Sequence, residues 1–318
     1  MRAVKLSRGV VGVVEQRRPR RRTGFALIRL RTAGICNTDL ELQRGYYNFE
    51  GTPGHEFVGE VVEADTPGLS GARVAGEINL SCGRCAWCHR GLGRHCPQRR
   101  VLGIVRHPGA FAEYLTLPER NLHVLPPGLP DEAAVFVEPV AAACEILDQV
   151  QIPKGSTVAV LGDGKLGLLI GQVLRAYGMT VHQYGHHKEK LRLAADWGID
   201  VRFAGKRLPR SAYQYTVEAT GSPEGLRLAV EMTRPRGTLV LKSTVHGLVG
   251  IDTAPVIVKE LTLVGSRCGR FEPALRLLRT GGVQCEKMIS DRFPLSQAPE
   301  AFRRAAEREA LKVLLLPD

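Results

Sequence analysis

The chain has 318 residues, 44% hydrophobic and 24% charged, and carries a formal net charge of +12. That length exceeds what one small core organises, so two domains are expected, and the composition excludes a disordered, collagen-like or membrane-embedded polypeptide. The positive balance owes much to arginine, with Arg17, Arg18, Arg20, Arg21 and Arg22 clustered around Pro19, a pattern that suits nucleic acid, an anionic cofactor or a solvated loop.

The segment from Met1 to Arg8 lacks the long apolar run of a signal peptide, and no later stretch approaches the roughly 18 apolar residues of a membrane span. This points to the cytoplasm, with no membrane partner. Eight cysteines in a reducing compartment do not suggest a disulfide framework, so their spacing has to account for them.

From Met1 to about Pro139, short apolar alternations such as Ala26 to Arg31 and Phe57 to Val62 are broken by glycine and proline, which predicts a β-rich domain with many turns. Cys82, Cys85, Cys88 and Cys96 follow one another with two, two and seven intervening residues. Four thiolates in one loop close a tetrahedron around Zn²⁺ and leave no open position for substrate, so a structural zinc lobe is expected over about residues 80–100. An iron–sulfur cluster is the chemical rival. Cys144 lies in an apolar helical run from Val140 to Val150 and reads as core.

Beyond Ile152 the texture changes to strands alternating with helices: Thr157 to Leu161 as a strand, Leu166 to Tyr177 as a helix, Thr180 to Tyr184 as a strand, Lys188 to Trp197 as a helix and Tyr215 to Val217 as a strand. This is the pattern of a doubly wound parallel sheet, an α/β Rossmann domain. Gly162, Gly164, Lys165, Leu166 and Gly167 form a Gly-x-Gly-x-x-Gly turn after the first strand, where absent side chains let a pyrophosphate approach the helix N-terminus. An NAD site places an acid near Gly185, and none stands there. Gly185 with His186, His187 and Lys188 offers room and positive charge for a 2′-phosphate, so NADP is the expected cofactor, with NAD the alternative. A helix over Ala298 to Arg308 and a strand over Lys312 to Leu316 close the chain.

Cys36, the Gly54-His55-Glu56 sequence, the four-cysteine lobe, Glu138-Pro139 before the glycine turn and the terminal Lys312-Val313-Leu314-Leu315 strand occur in an order that resembles the medium-chain zinc-dependent alcohol and polyol dehydrogenases, on the threonine and sorbitol dehydrogenase side. The resemblance spans nearly the whole chain. It implies a GroES-like catalytic domain (1–145), a Rossmann domain (146–280) and a return segment (281–318). Carried over residue by residue, it makes Cys36, His55 and Glu138 the ligands of a catalytic zinc, Glu56 a neighbouring carboxylate able to exchange into its shell, and Asp39 the partner that orients His55. Thr38 matches the hydroxyl that accepts the substrate proton, and Glu41 stands where relatives often carry the histidine that passes it on. Thr220, Gly221, Ser266 and Arg267 match positions beside the cofactor.

Asp65, where a glycine is usual, and Ala72, where an aspartate is commoner, depart from the family pattern. Tyr46, Tyr47, Phe49 and Phe111 are candidates for the substrate pocket. The function implied is hydride transfer between a nicotinamide cofactor and a secondary alcohol, polyol or amino alcohol, in a homodimer or homotetramer with two zincs per chain. A reductase working in the opposite direction is indistinguishable by sequence. A basic zinc-binding nucleic-acid module is the rival from another class, and it leaves Cys36, His55, Glu138 and the glycine turn unexplained.

Overall fold

A computed structural model describes residues 1–205, 208–243 and 250–318. The chain divides into two compact units, Met1–Glu138 with Cys285–Asp318, and Pro139–Gln284.

The first unit is built on a seven-stranded sheet. Its spatial order is Leu122–Val124, Arg73–Gly76, Glu56–Glu63, Phe25–Ile35, Lys312–Leu316 and Ile289–Pro294, with Tyr114–Pro118 also paired to the long Phe25–Ile35 strand. Lys312–Leu316 runs antiparallel to Phe25–Ile35 and parallel to Ile289–Pro294. The apolar side chains of Ala26, Ile28, Leu30, Ala33 and Ile35 are all buried, and the change from even to odd positions after Leu30 coincides with a shift in the pairing to Glu56–Glu63 between Leu30 and Thr32. The alternations at Ala26 to Arg31 and Phe57 to Val62 therefore lie inside strands, as expected. Short helices at Asn37–Gln43, Ala86–His89 and Asp131–Ala134 interrupt the β texture.

Part of the arginine cluster is consumed internally. Arg21 pairs with Asp65, whose other oxygen accepts the Gly24 N–H at 2.6 Å, and the Arg18 guanidinium stands 4.3 Å from the centre of the Tyr114 ring. Asp65, a departure from the family pattern, thus pins the entry to the long strand.

In the second unit six parallel strands lie in the order Asp200–Phe203, Thr180–Gly185, Thr157–Leu161, Tyr213–Glu218, Thr233–Leu241, Thr262–Gly265. In chain order this is 3-2-1-4-5-6, the doubly wound arrangement whose ligand crevice opens where strand order reverses. The helix after the first strand, Lys165–Ala176, buries Leu168, Leu169, Ile170, Val173 and Leu174 along one side. The helix expected from Val140 begins earlier, at Val137, and runs to Gln149. Pro139 does not delay it, because the first helical turn needs no N–H donors from its own residues.

Candidate active site

Cys36 caps the helix Asn37–Gln43, and its backbone N–H donates to Asp39 Oδ2 at 2.9 Å. The other oxygen of Asp39 accepts the Gly54 N–H at 3.1 Å. One fully buried carboxylate therefore ties the loop bearing Cys36 to the loop bearing His55. His55 Nδ1 lies 3.5 Å from Asp39 Oδ1, within ion-pair reach but long for a hydrogen bond, and that buried nitrogen has no hydrogen-bond partner among the described residues.

Cys36, His55 and Glu56 each offer one donor atom, all within 4.8 Å of one another. Burial alone would lower the pKa of His55, yet the charges of Asp39 and Cys36 raise it well above the ordinary histidine value. A buried cluster of thiol, imidazole and carboxylate at this spacing fits a zinc ion. Glu56 also pairs with Lys312, both side chains almost wholly buried. Glu138 is half-buried in the first turn of Val137–Gln149 and is not one of the three clustered groups.

Thr38 Oγ1 stands 3.8 Å from Cys36 Sγ. Glu41, one helical turn on, is paired with Arg44 at 2.7 Å. Among the pocket candidates Phe111 is fully buried and meets Phe302 edge-on at 6.0 Å between ring centres, so it packs in the core. The Tyr46 and Tyr47 rings meet at a tilt of 43° with centres 4.2 Å apart, and Tyr47 is exposed.

The four-cysteine lobe is compact. The sulfur separations are 3.5 Å for Cys85 and Cys88, 3.8 Å for Cys85 and Cys96, and 3.9 Å for Cys82 and Cys88. A tetrahedron with Zn–S bonds of about 2.3 Å has edges of about 3.8 Å, which these three separations match, and all four sulfurs lie within 4.8 Å of one another. Backbone N–H donation from Arg84 leads the effects that bring Cys82 down to about 6, favouring a thiolate.

In the second unit Gly162 adopts φ of +118°, and a Cβ there would lie 2.7 Å from the Ala219 carbonyl carbon. At Gly164, the N-cap of Lys165–Ala176, a Cβ would meet nothing within 4 Å. The open cradle at a helix N-terminus fits a dinucleotide pyrophosphate. Thr220 donates through its N–H and hydroxyl to Glu218 Oε1, at 2.7 and 2.6 Å, and the Gly221 N–H donates to Ser243 Oγ at 2.8 Å. Ser266 and Arg267 are held by Lys242, whose Nζ donates to Ser266 Oγ at 3.1 Å and to the Arg267 carbonyl at 2.9 Å.

The room expected at Gly185 is not there. A Cβ on that residue would lie 2.5 Å from the Cβ and Cγ of Asp163, because the Asp163 side chain is packed against it. His187 is bonded to the same carboxylate, whereas His186 and Lys188 are exposed. Asp163, Lys242 and Lys312 are the residues that sequence reasoning missed. Their signals were faint: an acid inside a glycine turn, and lysines at the ends of apolar runs.

Residues 22–127 match the model of the alcohol dehydrogenase GroES-like domain, and residues 166–280 match that of zinc-binding dehydrogenases. A sorbitol dehydrogenase from Halalkalibacterium halodurans is 30% identical over 91% of this chain and 91% of its own. The chain belongs to the medium-chain zinc-dependent dehydrogenases. Two solved structures are also similar. A zinc-binding dehydrogenase from Sinorhizobium meliloti, bound to NADP, has 32% identity and a TM-score of 0.90, covering 99% of each chain. A short chain alcohol dehydrogenase from Escherichia coli, complexed with NADH, has 26% identity and a TM-score of 0.90 over 99% of each chain.

This dehydrogenase is accordingly a zinc-binding oxidoreductase that moves hydride between an alcohol and a carbonyl with a nicotinamide cofactor. No helix among its described residues is long and apolar enough to cross a membrane.

Proposed function

We propose that the enzyme interconverts a secondary hydroxyl of a polyol and the corresponding ketone, with one zinc at Cys36, His55 and Glu138 and a second at the four-cysteine lobe. The observation that carries this reading is the Asp39 carboxylate, which binds the Cys36 loop and the Gly54–His55 loop together and so preorganises two ligands of different chemistry. Glu56 is committed to Lys312, which favours Glu138 as the third ligand and keeps Glu56 as its alternate. When bound, zinc supplies Lewis acidity at the substrate oxygen and the nicotinamide accepts or donates hydride.

The chain's own part is to orient and to move a proton. Thr38 takes the hydroxyl proton, and Glu41 relays it outward, its carboxylate set by Arg44. The glycine turn from Gly162 to Gly167 seats the pyrophosphate, with Lys165 and Leu166 opening the helix behind it. Thr220, Gly221, Ser266 and Arg267 follow the C-terminal ends of two strands of the same parallel sheet, Tyr213–Glu218 and Thr262–Gly265, with Thr233–Leu241 between them. Sorbitol dehydrogenase among the relatives supports the polyol class.

A homodimer through the outer strand Thr262–Gly265 is supported by its place at the sheet edge and by Ile257 and Val258, exposed by 71% and 81% on the preceding helix. Thiols spaced for zinc rather than for disulfides favour the cytoplasm. The deciding experiment is a panel of polyols, amino alcohols and simple secondary alcohols assayed by nicotinamide absorbance, with zinc counted in the same sample. Turnover of at least one polyol with about two zincs per chain is expected. Turnover confined to the amino alcohols or the simple secondary alcohols rejects the polyol class, and one zinc per chain rejects the two-site assignment.

A further inference from the structure

The adenosine end of the cofactor cradle is formed by the glycine turn and by the residues after the second strand, Thr180–Gly185. In a doubly wound fold an acid at the end of that strand accepts the ribose hydroxyls of NAD, and its replacement by a small residue beside cations makes space for the 2′-phosphate of NADP. Gly185 occupies that position here. The structure nevertheless puts a carboxylate in the same volume, from the other side of the turn. Asp163 is 6% exposed, and its Oδ2 accepts the backbone N–H groups of His186 and His187 at 2.8 and 2.7 Å. His187 Nδ1 lies between the two oxygens, 2.9 Å from Oδ1 and 3.0 Å from Oδ2.

We propose that Asp163 is the ribose-recognising acid of this enzyme, delivered from the glycine turn instead of from the second strand, and that it selects NAD over NADP. An ionised carboxylate offers about four acceptor positions. Two backbone N–H groups and one imidazole use three, leaving capacity on Oδ1 for a ribose hydroxyl. A 2′-phosphate brought to the same place meets a fixed negative charge, and the two N–H groups that would cradle it are already taken. The cations still facing outward, His186 and Lys188, are exposed and screened by salt. Burial works against the charged form of Asp163, but hydrogen bonds from His187 hold its pKa below the ordinary aspartate value, so the charge is present at neutral pH.

The inference rests on the glycine turn being the cofactor site, and the test separates the two. Zinc-loaded full-length enzyme is titrated calorimetrically with ADP-ribose and with 2′-phospho-ADP-ribose, then with NAD⁺ and NADP⁺. The wild type is expected to bind the ligands lacking the 2′-phosphate at least about tenfold more tightly, and Asp163→Asn to narrow that gap by about tenfold or more, within the range of one charge-assisted hydrogen bond. Tighter binding of the phosphorylated ligands by wild type overturns the proposal, as does an Asn variant that weakens both classes equally. Should Asp163→Asn fail to fold, His187→Gln, which keeps the carboxylate and removes its imidazole partner, must retain the preference for NAD⁺. A reversal there also overturns it. Binding of neither class rejects the cofactor site itself.

Discussion

Lys312 and Glu56 form a buried ion pair across the central strand of the first sheet, passing directly over Gly34. Glu56 is the register partner of Gly34 on one side, and Lys312 precedes the strand residues paired on the other. A Cβ at Gly34 would stand 2.7 Å from Glu56 Oε2 and 3.1 Å from Lys312 Cδ. Burial opposes the Lys312 ammonium, but the Glu56 carboxylate raises its pKa above the ordinary lysine value. The pair anchors one of the three clustered donors, so it joins sheet stability to the metal site.

Removing one partner leaves the other charge buried and uncompensated. Lys312→Met should cost about 3–5 kcal/mol, measured by urea denaturation of the zinc-loaded enzyme, and Lys312→Met combined with Glu56→Gln should recover part of that loss. A single variant as stable as wild type would mean that the pair contributes nothing net.

The two cysteine sites should respond differently to substitution. Cys36→Ala or His55→Ala should remove one zinc and abolish turnover with little change in melting temperature, because Asp39 still bonds both loop backbones. Cys85→Ser or Cys96→Ser should lower the melting temperature first, since metal binding at that lobe is folding free energy for a loop with little apolar content. Zinc analysis beside thermal denaturation checks both, and Glu138→Gln beside Glu56→Gln shows which carboxylate completes the catalytic set.

His107 gives a pH dependence with a defined sign. Burial, the largest effect, holds its pKa below the ordinary histidine value, helped by Arg100 and Arg22 and opposed by its 2.8 Å contact with the Pro108 carbonyl. The unfolded chain therefore takes up this proton first. The contribution of His107 to stability is fully present above about pH 6.5 and is lost as pH falls toward the depressed folded value. His107→Gln should flatten the melting-temperature profile below pH 6.5, and an unchanged slope would assign it to other groups.

Gly185 separates a sequence argument from a structural one. Read as an open position, Gly185→Asp should hand the ribose an acceptor and switch cofactor choice cleanly. With Asp163 already packed there, any side chain at 185 must displace it, so Gly185→Ala alone should cost about 1–3 kcal/mol and weaken adenosine-ribose binding. Calorimetry and denaturation of the Ala variant decide between the two.

Sequence by itself determined the elements whose signal is local. The spacing of Cys82, Cys85, Cys88 and Cys96 encodes their clustering because one loop carries all four, and the turn from Gly162 to Gly167 encodes its own open shape because backbone conformation depends on nearby residues. Hydrophobic periodicity likewise placed the Thr157–Leu161 and Lys312–Leu316 strands at their observed limits. Only the tertiary structure decided the pairings between distant segments. Lys312 meets Glu56 across 256 positions because three strands share one register, and Asp163 fills the space beside Gly185 because two parallel strands end side by side. Neither partner announces itself in its own neighbourhood, since a buried charge is tolerated only where folding brings its counterpart.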